Sequence, residues 1–131
     1  MITKLHFASR IANIRAVEKT IDDITEDSGV NKENYGKILI AALEAVNNAI
    51  IHGNHSDERK IVEFEVRIEG KKLTIKVTDE GRGFKPKEVP DPTQPENIES
   101  INGRGVFLMR KLADKIEYNK KGNSVKMTFN I

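Results

Sequence analysis

The chain has 131 residues, no cysteine, 22 basic and 20 acidic side chains, and a formal net charge of +2. A length of this order holds one domain with a real core, and no second domain is expected. The missing cysteines exclude a disulfide framework and a thiolate metal centre, and the even charge balance with no Trp speaks against a nucleic-acid binder.

No apolar run approaches the roughly 18 residues of a membrane span. The opening Met-Ile-Thr-Lys-Leu-His-Phe has no charged head followed by an apolar stretch. A soluble cytoplasmic protein without membrane contact is the expectation.

Residues 2–8 alternate loosely through Ile2, Leu5 and Phe7 and are read as a first strand, with Ser9 as N-cap of the helix that follows. Ile11, Ile14, Val17, Ile21 and Ile24 recur at three- and four-residue spacing, which predicts an amphipathic helix to about Asp27, ended by Ser28-Gly29. Asn31 is the candidate cap of a second helix with Ile38, Leu39, Ala42, Leu43, Val46, Ala49 and Ile50 on its apolar face, closed by Gly53-Asn54. Residues 61–69 alternate with period two, as do 73–79, and the intervening Gly70-Lys71-Lys72 predicts a hairpin. All four prolines fall in 85–102, a stretch that fits neither pattern and is read as a functional loop or lid. Val106, Leu108, Met109, Leu112 and Ile116 predict a third helix, and Ser124 to Ile131 a last strand. The order β-α-α-β-β-lid-α-β predicts an α/β two-layer sandwich, a mixed and mostly antiparallel sheet with helices on one face.

Three short stretches carry the chemistry. Within Glu44-Ala45-Val46-Asn47-Asn48-Ala49, Glu44 and Asn48 stand at i and i+4, and His52 continues the stripe along the border of the apolar face. Such a stripe is commonly the solvated boundary of an amphipathic helix. It also suits a metal and a base. An amide oxygen is a ligand for the hard cation Mg²⁺, and a carboxylate one turn away can take a proton from an attacking hydroxyl. On spacing alone Asn47 competes with Asn48 for the amide role.

Asp79-Glu80-Gly81-Arg82-Gly83-Phe84 follows a strand end. Its glycines suffice for an ordinary turn. As a site, Asp79 can accept a hydrogen bond from an adenine amino group while Gly81 and Gly83 let backbone approach the ring. Gly103-Arg104-Gly105-Val106-Phe107-Leu108 opens the third helical pattern, where a glycine turn into a helix N-terminus would aim free N–H groups at phosphate. No Gly-Lys-Ser/Thr follows, so this is not a Walker loop. His52-x-x-His55 could ligate Zn²⁺ in principle, but no carboxylate stands at ligand spacing, and no serine has the His/Asp pairing of a hydrolase triad.

Taken together, these motifs resemble the GHKL ATPase superfamily, and within it the small anti-sigma factor serine-protein kinases, over essentially the whole chain. Glu44 to Gly53 looks like the N box of that family, Asp79 to Phe84 its first glycine box, the proline-rich 85–102 its ATP lid, Asn102 to Arg110 its second glycine box, and Lys121-Gly-Asn-Ser124-Val125 its closing element. The resemblance implies ATP and Mg²⁺ as cofactors, Glu44 as general base and Asn48 as Mg²⁺ ligand. It implies that Asp79, Gly81 and Gly83 form the adenine pocket, and that Gly103, Arg104, Gly105 and Val106 meet the phosphates. Ser124 stands where the family usually has Thr and keeps the hydroxyl for an adenine-side contact. The implied partners are a small anti-sigma factor antagonist, phosphorylated on serine, and an RNA polymerase sigma factor bound in competition with it, with no direct nucleic-acid contact. Relatives are commonly dimers, so a homodimer is one arrangement it implies. The alternative is an ATP-binding interaction module without kinase activity; the intact Glu44 favours the kinase. A histidine kinase would need a helical dimerisation segment, for which the residues before Ile61 leave no room.

Overall fold

The computed structural model describes residues 1–82 and 101–131, with the backbone alone over 101–104. The elements follow in the order β1 (Ile2–Ala8), α1 (Ile14–Asp27), α2 (Lys32–Asn48), β2 (Ile61–Glu69), β3 (Lys72–Thr78), α3 (Ile101–Leu112), β4 (Lys115–Tyr118) and β5 (Ser124–Asn130). A short 3₁₀ turn, Ile11–Asn13, precedes α1, and a π-helical turn, Ala49–Gly53, extends α2. The five strands form one sheet in the order β1-β2-β3-β5-β4.

Alternation decides which face is covered. Val62, Phe64 and Val66 of β2, Leu73, Ile75 and Val77 of β3, and Val125, Met127 and Phe129 of β5 are buried, while Glu63, Arg67, Lys76 and Lys126 between them are exposed. The buried face packs in one cluster with Val17 and Ile21 of α1, Ile38 and Val46 of α2, and Val106 and Met109 of α3. Ala41, Ala42, Ala45 and Ala49 are all buried, and their small side chains let α2 run close over the sheet between its neighbours. Gly70, at φ +58°, takes the first central position of the two-residue β2–β3 loop, a place that favours glycine in a II′ hairpin.

The expected two-layer α/β sandwich is therefore present, with its helices on one face. Its sheet is antiparallel in every ladder rather than mixed. The reason is β4, which the sequence reading places in the third helix. Ile116 pairs with Met127 across a short hairpin, and α3 ends at Leu112. Asn31 caps α2 as expected, its side chain accepting from Asn34 N–H at 2.7 Å. Ser9 does not cap α1. It is buried, and its hydroxyl donates to Lys60 O at 2.7 Å, tying the end of β1 to the start of β2. Gly29, at φ +66°, ends α1 as expected. The glycine turn expected at Gly103 to Gly105 is helix, because α3 has already begun at Ile101. Gly83 and the expected lid lie outside the described residues, apart from residues 101 and 102, which belong to α3.

Candidate functional site

A cavity of about 290 Å³ opens between the end of α2, the end of β3 and the β4–β5 hairpin. Asn48, His52 and Gly53 line it from α2 and its π turn, Asp79 and Arg82 from the turn after β3, and Tyr118, Asn123 and Ser124 from the hairpin. Ala45, Val77, Met109 and Val125 give it apolar walls. The mixture suits a flat aromatic ligand with a few polar edges.

Asp79 is fixed on both sides. Its N–H donates to Asn123 O at 2.9 Å, and Asn123 Nδ2 donates to Asp79 O at 2.8 Å. Its Oδ1 accepts from Gly81 N–H at 2.7 Å, while Oδ2 has no hydrogen-bond partner among the described residues. Burial raises the Asp79 pKa; the Gly81 N–H and the charges of Lys121 and Lys60 oppose that rise. Two glycines make room for this carboxylate. A Cβ on Gly53 would stand 2.3 Å from Asp79 Cγ and Oδ2, and one on Gly81 would stand 2.2 Å from Gly53 O. Any other residue at Gly53 would displace the Asp79 carboxylate, and one at Gly81 would push against the Gly53 backbone.

Beside Asp79, Ser124 opens β5 opposite Thr78, with 2.8 Å between the two hydroxyl oxygens. Asn119 shapes the hairpin that carries Ser124, its Oδ1 accepting from the N–H groups of Gly122 at 2.8 Å and Asn123 at 3.0 Å. Burial holds the Tyr118 phenol above its ordinary pKa, against the pull of the Arg110 charge. Burial, and then the His55 charge, lower His52, which favours its neutral form.

Asn48 lines the cavity and Glu44 does not. The two meet at α3 instead. A Cβ on Gly105 would stand 2.9 Å from Asn48 Nδ2, 3.0 Å from Glu44 Oε2 and 3.2 Å from Asn48 Oδ1. Gly105 thus lets α3 lie against this stripe of α2. Being four residues inside α3, Gly105 and Val106 have N–H groups in the helical ladder range, so the free amides of the helix start belong to the turn around Gly103 and Arg104. No hydrogen bond among the described residues engages the Asn48 amide or the Glu44 carboxylate. An amide oxygen without a partner among the described residues suits a hard cation. No cluster of three His, Asp or Glu able to hold a metal occurs among the described residues. A Mg²⁺ completed by a ligand's phosphates fits that arrangement better than an all-protein cage.

The structure thus brings Asn48, Asp79, Gly81 and Ser124 to one region, puts Glu44 and Gly105 beside Asn48, and leaves His6 on the opposite, open sheet face against Glu63. Sequence reasoning missed Asn54, Asn119, Asn123 and Tyr118. Only Asn123 carried a signal, through its place between Gly122 and Ser124.

Comparisons with known proteins place the chain in a family. Residues 7–129 match the family described as histidine kinase-like ATPase domain. The anti-sigma F factor of a Thermoanaerobacter species is 30% identical over 132 residues, covering 95% of this chain and 90% of that protein. An anti-sigma F factor of Clostridium perfringens is 33% identical over 119 residues, covering 88% of this chain and 77% of that protein. In fold, the chain resembles the RsbU and RsbW domains of a Mycobacterium tuberculosis protein, with a TM-score of 0.67 at 19% identity over 98% of this chain and 32% of that longer one. The chain belongs to the histidine kinase-like ATPase domain family, in the branch formed by the anti-sigma factor serine kinases.

Proposed function

We propose that this chain is an ATP- and Mg²⁺-dependent serine-protein kinase that acts as an anti-sigma factor. It phosphorylates a small anti-sigma factor antagonist and, when that antagonist is modified, holds an RNA polymerase sigma factor. The observation that carries the reading is the Asp79 site, a half-buried carboxylate with one oxygen unengaged among the described residues, backed by two glycines whose Cβ positions are blocked. A carboxylate so placed suits the amino group of adenine, and Ser124 adds a hydroxyl on the same side. The anti-sigma F factors similar to this chain support the choice of partners. As in that family, the protein would work in the cytoplasm, as a single ATPase unit with homodimer formation as its assembly.

In this reading Asn48 holds Mg²⁺, which when bound neutralises charge on the phosphate oxygens. The first-turn amides of α3, with Gly103 and Arg104 among them, face the phosphates, where the helix dipole favours negative charge. Glu44 takes the proton of an incoming serine hydroxyl as its oxygen bonds to the γ-phosphorus and ADP departs. Gly105 and Val106 serve by packing α3 against α2. Gly83 is assigned to the adenine side with Gly81.

One observation favours a second reading, an ATP-binding interaction module without phosphoryl transfer: Glu44 is absent from the cavity lining and sits against Gly105. Glu44→Gln separates the two. It keeps size and removes proton acceptance, so phosphorylation of an antagonist serine by labelled ATP is expected to fall by about 10²–10⁴, with nucleotide affinity nearly unchanged. Wild-type protein that binds ATP but labels no antagonist establishes the interaction module.

A further inference from the structure

Asn54 is fully buried, the most enclosed polar side chain among the described residues, although it lies in a loop. Loop side chains of this kind ordinarily face water. The backbone bends sharply to bring it inside. Before it, the π turn closes with Asn54 N–H donating to Ala49 O at 2.8 Å. After it, His55 and Ser56 stand at φ +52° and +54°, in the left-handed region that residues other than glycine seldom adopt. From there the side chain reaches three separate segments. Nδ2 donates to Ser9 Oγ at 2.8 Å, just past β1, and to Ile61 O at 3.2 Å, where β2 starts. Oδ1 accepts from Glu80 N–H at 2.7 Å. The Glu80 carboxylate in turn accepts from Ile61 N–H. Glu80 joins Asp79 to Gly81, whose own N–H caps Asp79.

We propose that Asn54 is a positioning residue that sets the Asp79–Gly81 turn against the end of α2, and thereby the selectivity of the cavity for a purine with a 6-amino group. The selectivity rests on the adenine reading of Asp79 given above. An amide supplies donors toward Ser9 and Ile61 and an acceptor toward Glu80 from a single side chain. A carboxylate there would set oxygen against Ile61 O, and an alkyl chain would take away the acceptor that holds the part-buried Glu80 N–H. Hydrogen bonds weaken steeply with angle, so a turn that drifts loses the directed contact to the base first. Phosphate affinity, which depends on α2 and α3, is affected less.

The test measures binding of ATP and of inosine triphosphate, which has a carbonyl where adenine has its amino group. Wild type, Asn54→Ala and Ser9→Ala are compared by calorimetry at a temperature where circular dichroism shows all three folded. Ser9→Ala removes one arm of the network and leaves the Glu80 hydrogen bond in place. Wild type and Ser9→Ala are expected to prefer ATP, and Asn54→Ala to lose about tenfold of that preference, mainly through weaker ATP binding. A folded Asn54→Ala with the wild-type preference overturns the proposal, and so does a Ser9→Ala that loses as much, since lost stability then explains both. A wild type that does not discriminate overturns the adenine reading of Asp79 and the selectivity with it. If Asn54→Ala does not fold, amide exchange in nucleotide-free wild type decides. A Glu80 N–H as protected as the middle of β3 supports the proposal, and one that exchanges like an exposed loop amide overturns it.

Discussion

Asp79 holds its carboxylate where burial penalises the charge and raises its pKa above the ordinary 3.8. Because the folded value is the higher one, protonation favours the folded state. The contribution to stability is full below the unfolded value and is lost as pH rises through the folded one, so at neutral pH the ionised group works against folding. Asp79→Asn is therefore expected to melt above wild type at neutral pH, with the gap narrowing toward about pH 4, as followed by circular dichroism. The same variant is expected to bind ATP more weakly by about 1–3 kcal/mol in calorimetry. At this scale the sequence singles out residues where chemistry restricts the type: an acid at a strand end followed by two glycines, and an acid and an amide one helical turn apart. It was silent on Asn54, whose partners Ser9 and Glu80 lie far away along the chain. Periodicity reports which faces are apolar, and a buried polar hub has no period.

The meeting of α2 and α3 is the element-level counterpart of the site. Gly105 lies mid-helix, where alanine would ordinarily stabilise by about 1 kcal/mol. Its Cβ would crowd the ends of two flexible side chains, Asn48 and Glu44. Gly105→Ala is expected to keep the melting temperature within a few degrees of wild type, because those ends can move aside. Mg²⁺-dependent ATP affinity is expected to fall, measurable by titration with and without the metal. Strands with clear alternation, such as residues 61–69, were legible to within a residue, while the ends of α1 and α3 were missed by three to four. β4 was not legible. Its four residues contain Ile116 one helical turn beyond Leu112, a spacing that continues the α3 pattern until the hairpin partner is known. Ser9 was misread for a related reason. A serine before an apolar run is the usual cap signal, and only the fold reveals that Lys60 and Asn54 have claimed it.

The whole molecule divides its labour between two faces of one sheet. The open face carries a cross-strand row of charge, Lys4, Glu65, Lys76, Lys126 and Glu117, one from each strand. The covered face builds the core, and the cavity lies at its margin, where the turn after β3, the β4–β5 hairpin and the end of α2 converge. Apart from the β2–β3 hairpin, strand order was beyond the reach of pattern reading, since alternation fixes which residues face inward and not which strands are neighbours. A ligand joining these separate segments favours the folded chain by mass action. ATP at about 100 times its dissociation constant is expected to add about 2.7 kcal/mol and to raise the melting temperature by several degrees. Inosine triphosphate at equal concentration should raise it less.

The π turn at Ala49–Gly53 has a consequence for chain length. Its wider winding gives Gly53 and Asn54 an angular position that a regular α-helix with the same number of residues would not reach. Removing Ile51, an exposed residue, would turn the Asn54 N–H to Ala49 O bond into an ordinary α-helical one and leave the segments beyond it in place relative to α2. Deletion of Ile51 is therefore expected to preserve both helical ellipticity and ATP binding in calorimetry, whereas insertion of a second residue there should weaken binding. The extra residue of the turn thus marks a place where the chain can shorten by one without moving the site.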